Sequence, residues 1–130
     1  MSDGESTGGF VGSLGLVSEK IRIKNCYATG NVQLDTSGSQ VQAGGFCGEA
    51  YGGTTTPVYH GYIQECMCSG DVTLTGNGTM LLAGGFLGSA TPPGLEISDC
   101  YCTGDVTVSG GYYALGGGFA GNNSAIINRC

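Results

Sequence analysis

Apolar and polar residues alternate with a period of two in three short runs, Val32-Gln33-Leu34, Val72-Thr73-Leu74 and Val106-Thr107-Val108. Such alternation marks a half-buried strand, because successive side chains leave opposite faces of an extended backbone. A second set of runs, Val41-Gln42-Ala43, Met80-Leu81-Leu82-Ala83 and Tyr112-Tyr113-Ala114-Leu115, leads into Gly-Gly-Phe segments. No stretch carries a helical stripe, and the frequent Gly residues each disfavour helix by about 1 kcal/mol relative to Ala. The pattern predicts an all-β chain.

Two signatures divide it into repeats. Gly-Gly-Phe begins at Gly8, Gly44, Gly84 and Gly117, and Ile-x-x-Cys ends at Cys26, Cys66, Cys100 and Cys130. From Cys26 to Gly44, Cys66 to Gly84 and Cys100 to Gly117 the chain advances 18, 18 and 17 residues. From each Gly-Gly-Phe to the following Cys it advances 18, 22, 16 and 13. The near-constant half predicts stacked structure in register, and the variable half predicts surface loops that accept insertions.

Each repeat offers three short strands: a Gly-Gly-Phe strand, an Ile-x-x-Cys strand and a Val-x-Leu strand. One repeat cannot bury its apolar side alone, but coiling the chain stacks equivalent strands about 4.8 Å apart. The expected fold is a right-handed parallel β-helix, or β-solenoid, with three short strands per coil and about three and a half coils. One repeat per coil is the main reading; two coils per repeat is its rival. Residues 1–7 read as an N-terminal tail and residues 8–130 as one solenoid domain. Its repeats run over about 8–43, 44–83, 84–116 and a partial 117–130. Turns are expected at Thr29-Gly30, Ser69-Gly70, Thr103-Gly104, Ser37-Gly38, Gly76-Asn77-Gly78 and Ser109-Gly110-Gly111, where Gly permits positive φ.

Gly-Gly-Phe-Val-Gly at Gly8–Gly12, followed by Ile-x-Asn-Cys-Tyr-Ala-Thr-Gly-Asn-Val at Ile23–Val32, resembles the GLUG repeat. That repeat occurs in bacterial surface and secreted proteins, including adhesins, haemagglutinin-like proteins and immunoglobulin A peptidases. The resemblance extends from Gly8 to Cys130. It implies a non-catalytic β-helical stalk and brings no catalytic residues with it. The second copy departs from the pattern with Glu65 and Met67 in place of Asn and Tyr, and Cys68 and Cys102 replace Ala28.

Charge narrows the function classes. The 130 residues carry a net charge of −6, with Lys20, Arg22, Lys24 and Arg129 as the only cations. An acidic chain with one small basic spot is a poor partner for a phosphate backbone, so no nucleic acid is expected. No apolar run reaches the roughly 20 residues of a membrane span. The start MSDGESTGGF lacks the basic and apolar regions of a signal peptide. An extracellular or cell-surface location is expected, with any secretion signal upstream of this chain.

Stacking places Cys26, Cys66, Cys100 and Cys130 in one column, and Ala28, Cys68 and Cys102 in a second. Two readings stay open: small core hydrophobes, or inter-coil disulfides, for which stacked Cα atoms near 4.8 Å suffice. Zinc fits poorly, since Cys66-x-Cys68 and Cys100-x-Cys102 have one intervening residue and His60 is the only His. Phe10, Phe46, Phe86 and Phe119 predict a buried aromatic column. Asn31, Asp71 and Asp105 stack at a turn, where Ca²⁺ could relieve carboxylate repulsion at Asp71 and Asp105. The calcium-binding Gly-Gly-x-Gly-x-Asp repeat is absent, however, so ordinary turn residues and no cofactor are expected.

The variable loops near Ser13–Lys20, Glu49–Tyr62 and Ser89–Glu96 are the candidate binding elements. The longest holds Tyr51, Tyr59, His60 and Tyr62, residue types suited to protein or glycan contact; a solvated insertion is the plainer alternative. His60 alone cannot make a nucleophile–base–orienter set, so no enzyme is expected. The expected function is a non-catalytic extracellular repeat module, an adhesin-type stalk or binding surface for a cell-surface protein or glycan. The alternative is a subunit of a self-assembling fibre, with copies stacked end to end through open β-helix ends.

Overall fold

A computed structural model describes residues 4–16, 22–52, 61–91 and 95–130. The first coil comprises β1 (Gly4–Gly8), β2 (Val11–Leu16), β3 (Arg22–Lys24), β4 (Tyr27–Ala28) and β5 (Val32–Thr36). The second comprises β6 (Gln40–Gly44), β7 (Cys47–Gly52), β8 (Gly61–Gln64), β9 (Met67–Cys68) and β10 (Val72–Gly76). The third comprises β11 (Met80–Gly84), β12 (Leu87–Thr91), β13 (Leu95–Ser98), β14 (Tyr101–Cys102) and β15 (Val106–Gly110). A partial fourth adds β16 (Tyr113–Gly117), β17 (Ala120–Asn122) and β18 (Ile126–Asn128).

Every strand pairs in parallel with its equivalent in the next coil, giving five ladders: β1-β6-β11-β16, β2-β7-β12-β17, β3-β8-β13-β18, β4-β9-β14 and β5-β10-β15. Gly4 pairs with Gln40, Gln40 with Met80 and Met80 with Tyr113. Those partners lie one whole repeat apart, so each repeat is one coil. The fold is the expected parallel β-solenoid. Five ladders arise from three sides because two of the expected strands are bent. The Gly-Gly-Phe strand breaks between β1 and β2, and the Ile-x-x-Cys strand breaks between β3 and β4.

The first bend explains why two glycines precede each Phe. A Cβ on Gly44 would lie 2.0 Å from the Cys47 carbonyl oxygen, within the same turn. A Cβ on Gly45 would lie 2.1 Å from the Gly85 carbonyl oxygen, in the next coil. No side chain fits either place. The second bend falls on Asn25, Glu65, Asp99 and Arg129, with φ of 56°, 52°, 53° and 51°. Positive φ thus sits at a non-glycine corner, and the turns expected to use Gly for it do so at Gly110 and Gly111 alone among the described residues. Those two residues mark where the third coil is one residue short. Gly76 is four positions from Met80, whereas its partner Gly110 is three from Tyr113.

The interior has two compartments. One is filled by Phe46, Phe86, Ile63, Ile97, Leu87 and the cysteines of the corner. The other lies between the β1 and β5 ladders and holds Val41, Val72, Leu74 and Leu81. The period-two pattern survives intact in β10, where Val72 and Leu74 are buried and Thr73 and Thr75 are not. Burying one such aliphatic side chain contributes roughly 1.5–3 kcal/mol, so stability accrues coil by coil.

Two expectations are corrected. Gly4–Gly8 is a strand paired with β6, so residues 4–7 belong to the solenoid and not to a tail. The Phe column is buried only in its middle: Phe46 and Phe86 are fully buried, Phe10 is 48% exposed and Phe119 is partly exposed. The end members lack a neighbouring coil on one side.

Candidate functional site

The cysteine columns lie at the corner where β3-type strands turn into β4-type strands. In the first column each thiol donates to the carbonyl two residues before it: Cys66 to Gln64 at 3.1 Å, Cys100 to Ser98 at 3.2 Å and Cys130 to Asn128 at 3.3 Å. The same thiols approach carbonyls of the preceding coil, Cys66 at 3.8 Å from Ile23 and Cys100 at 3.6 Å from Ile63. In the second column the thiols reach forward instead. Cys68 donates to the Gly85 carbonyl at 2.9 Å and Cys102 to the Gly118 carbonyl at 2.7 Å.

All seven cysteines are thiols in this structure. Cys47, Cys66, Cys68 and Cys100 are buried, Cys26 and Cys102 are partly buried, and Cys130 is exposed. Burial pushes the Cys47, Cys68 and Cys100 thiols up to about 12, since a thiolate there would lose its solvation. Burial also raises Cys66 and Cys102. Such thiols stay protonated near neutral pH and are poor nucleophiles.

Cys47 stands apart from both columns, at the start of β7. It is fully buried together with Leu87, and the equivalent Val11 and Ala120 pack against the same core.

The Asn31-Asp71-Asp105 column is a capping ladder. Asn31 Oδ1 accepts the Asp71 backbone N–H at 2.9 Å, and Asp71 Oδ1 accepts that of Asp105 at 2.9 Å. The Asn31 and Asp71 side chains therefore satisfy the turn of the next coil. Among the described residues no group of three or more His, Cys, Asp or Glu is arranged to hold a metal ion.

Sequence reasoning missed the outward corner beside the first cysteine column. Arg129 forms a two-pronged pair with Asp99, Nε to Oδ1 and Nη2 to Oδ2 both at 2.6 Å. Hydrogen bonding to that guanidinium, reinforced by its charge, holds the Asp99 carboxyl below the usual carboxylate range. Lys24 pairs with Glu65 at 3.4 Å one step along. The signal was present as a polar third position in Ile-x-x-Cys, but four different residue types obscured it.

The loops leave the solenoid at one corner, between the β2-type and β3-type strands. Tyr59 and His60 lie outside the described residues. Tyr51 and Tyr62 flank them, at the end of β7 and in β8, and both touch the first coil. Tyr51 is 39% exposed, and its hydroxyl would lie 2.8 Å from a Cβ on Gly15. Tyr62 lies under the Arg22 guanidinium, 5.4 Å from the ring centroid, within the range of a cation–π contact. The structure thus places two of the four loop residues against coil one and leaves the loop tip undescribed.

Residues 3–33 match the GLUG motif. This segment spans nearly all of the first coil, and the register carries the same arrangement through the coils that follow. The first coil therefore carries a GLUG motif, and the chain folds as a parallel solenoid. No curated protein and no solved structure matches it. Among the described residues no helix is long and apolar enough to cross a membrane.

Proposed function

We propose that this chain is a non-catalytic extracellular module, a stiff spacer of the adhesin type that carries a binding surface on its loop corner. The observation that carries the reading is the division of labour within each coil. Five ladders hold register through the stack, while the length differences of the variable half enter at the one corner between β2-type and β3-type strands. A frame of fixed geometry with variation confined to one edge suits recognition by loops on a scaffold.

The polar groups elsewhere support the same reading. The thiols and the Asn/Asp column are engaged in backbone hydrogen bonds between or within coils. They are committed to the stack and not gathered around a substrate-sized space. The partner class is a protein or glycan of a cell surface.

The test is a glycan array and a cell-binding assay with the intact chain and with a variant in which residues 53–60 are replaced by a short Gly-Ser link. Binding that is lost in the variant, with an unchanged β-type circular dichroism spectrum, supports the reading. Absence of binding by the intact chain, or equal binding by both, overturns the loop corner as the recognition surface.

A further inference from the structure

The turns between β5-type and β1-type strands are built differently in each coil. Coil one uses Ser37-Gly38, coil two Asn77-Gly78 and coil three Gly110-Gly111. Asn77 is the one asparagine of the chain that is followed by glycine. It is exposed. Asn31 and Asn123 are committed to backbone N–H groups through Oδ1, and among the described residues no such bond holds the Asn77 side chain.

The amide that follows is also different from its counterpart in coil one. There the Gly38 N–H donates to Thr36 Oγ1 at 2.9 Å. The residue paired with Thr36 in coil two is Gly76. A Cβ on Gly76 would lie 2.5 Å from the Thr36 carbonyl oxygen, so no side chain can stand there to repeat the bond. Among the described residues nothing accepts the Gly78 N–H. The turn is nevertheless held on both sides of it. The Asn77 N–H donates to the Thr36 carbonyl at 3.4 Å, and the Gly78 carbonyl accepts the Tyr112 N–H at 3.1 Å.

We propose that the Asn77-Gly78 turn is a self-modification site, at which the folded chain converts Asn77 to aspartate and isoaspartate with water as the co-reactant. An amide N–H without an acceptor is open to solvent base, whereas a bonded one must first be released. Hydroxide takes the Gly78 amide proton, and the nitrogen attacks Asn77 Cγ. The Cγ–Nδ2 bond breaks and ammonia leaves, closing a five-membered imide. Water then opens the ring at either carbonyl. Cleavage of the new Cγ–N bond gives aspartate in an ordinary backbone. Cleavage of the original Asn77 peptide bond gives isoaspartate, with the chain running through Cβ and Cγ. The sum is asparagine plus water to a carboxylic acid plus ammonia, with no change of oxidation state. The aspartate product adds a negative charge at the turn. The isoaspartate product also lengthens the main chain by one methylene between β10 and β11, two strands that are each paired on both sides.

The fold supplies its own comparison. Ser37→Asn places the same Asn-Gly pair in coil one, where Thr36 Oγ1 holds the glycine N–H. Asn77→Ser copies the Ser37-Gly38 turn that this solenoid already uses. Gly78 itself cannot be changed to alanine, because a Cβ there would lie 2.2 Å from the Gly38 carbonyl oxygen.

The experiment keeps the intact chain folded in reductant at pH 7 and at pH 8.5 and follows it by peptide mapping with mass spectrometry. Isoaspartate is read separately by enzymatic methylation, and circular dichroism checks that each variant is folded. Asn77 is expected to convert ahead of every other asparagine, and faster at the higher pH. In the Ser37→Asn chain, position 37 is expected to convert several-fold more slowly than Asn77 of the same molecule. Asn77→Ser is expected to abolish the isoaspartate signal. An Asn77 that stays intact in the folded chain but converts in urea overturns the proposal, as does a Ser37→Asn chain in which both positions convert at the same rate.

Discussion

Asp71 Oδ1 accepts the backbone N–H of Asp105 at 2.9 Å, one coil away. The acceptor oxygen, not the charge, is what the turn uses. Asp71→Ala is expected to lower stability by about 0.5–1.5 kcal/mol, the net worth of one hydrogen bond. Asp71→Asn keeps an acceptor and removes the repulsion between stacked carboxylates, so its urea midpoint should equal or exceed the wild-type value. Ca²⁺ should leave the melting temperature of both unchanged; a Ca²⁺-dependent rise present only in the wild type would mark an ion site at Asp71 and Asp105.

The Phe column makes a graded prediction. Phe86 is fully buried between Phe46 and Phe119, and Phe86→Ala should cost about 3–5 kcal/mol. Phe10 stacks on one neighbour only and is 48% exposed, so Phe10→Ala should cost clearly less. Chemical denaturation of the two variants under reducing conditions gives the comparison. Equal losses would contradict the burial gradient.

Glu65 holds φ at 52°, a conformation that costs an L-residue roughly 1–2 kcal/mol unless it is Gly, Asn or Asp. Asn25 and Asp99 occupy the same corner in other coils at little strain. Glu65→Asn is therefore expected to stabilise the chain by about 1 kcal/mol. The lost ion pair with Lys24 is solvent-exposed and offsets little of this. A fall in the thermal midpoint would show that the pair matters more than the backbone.

The buried thiols set the alkaline limit of the fold. Cys47, Cys68 and Cys100 have folded-state values raised by burial from 9.0 to about 12. Unfolding exposes them, and above pH 9 the unfolded chain releases thiol protons that the folded chain retains. Stability is thus full below pH 9 and falls progressively as the pH rises toward 12. Replacing Cys68 by Ala should flatten this decline in a pH series of thermal melts. In the native chain at pH 8, iodoacetamide should label Cys130 first and leave Cys47, Cys68 and Cys100 unmodified until urea is added.

Much of this was legible because the chain repeats itself. Gly-Gly-Phe and Ile-x-x-Cys fixed the coil length and, through it, the ladder partners of β5, β10 and β15. The recurrence named the residues that stack, but not where each side bends. The β3–β4 corner was hidden because Asn25, Glu65, Asp99 and Arg129 share a backbone conformation and no residue type. The role of the second Gly was hidden for another reason: it answers to a carbonyl in the next coil, which local sequence cannot display. Treating the Phe column as uniformly buried ignored the ends, where a stack lacks a neighbour. The loop residues were chosen by composition, and Tyr51 and Tyr62 turn out to be partly engaged with the first coil.

In each ladder the backbone hydrogen bonds run from coil to coil, along the solenoid axis. Tension applied between the two ends would load them directly, with no covalent path shorter than a full coil to share it. A single molecule drawn out in this way would lengthen by the contour of one circuit at each yield, about 3.3–3.6 Å for every residue released, which is the behaviour of a tether that gives way in steps.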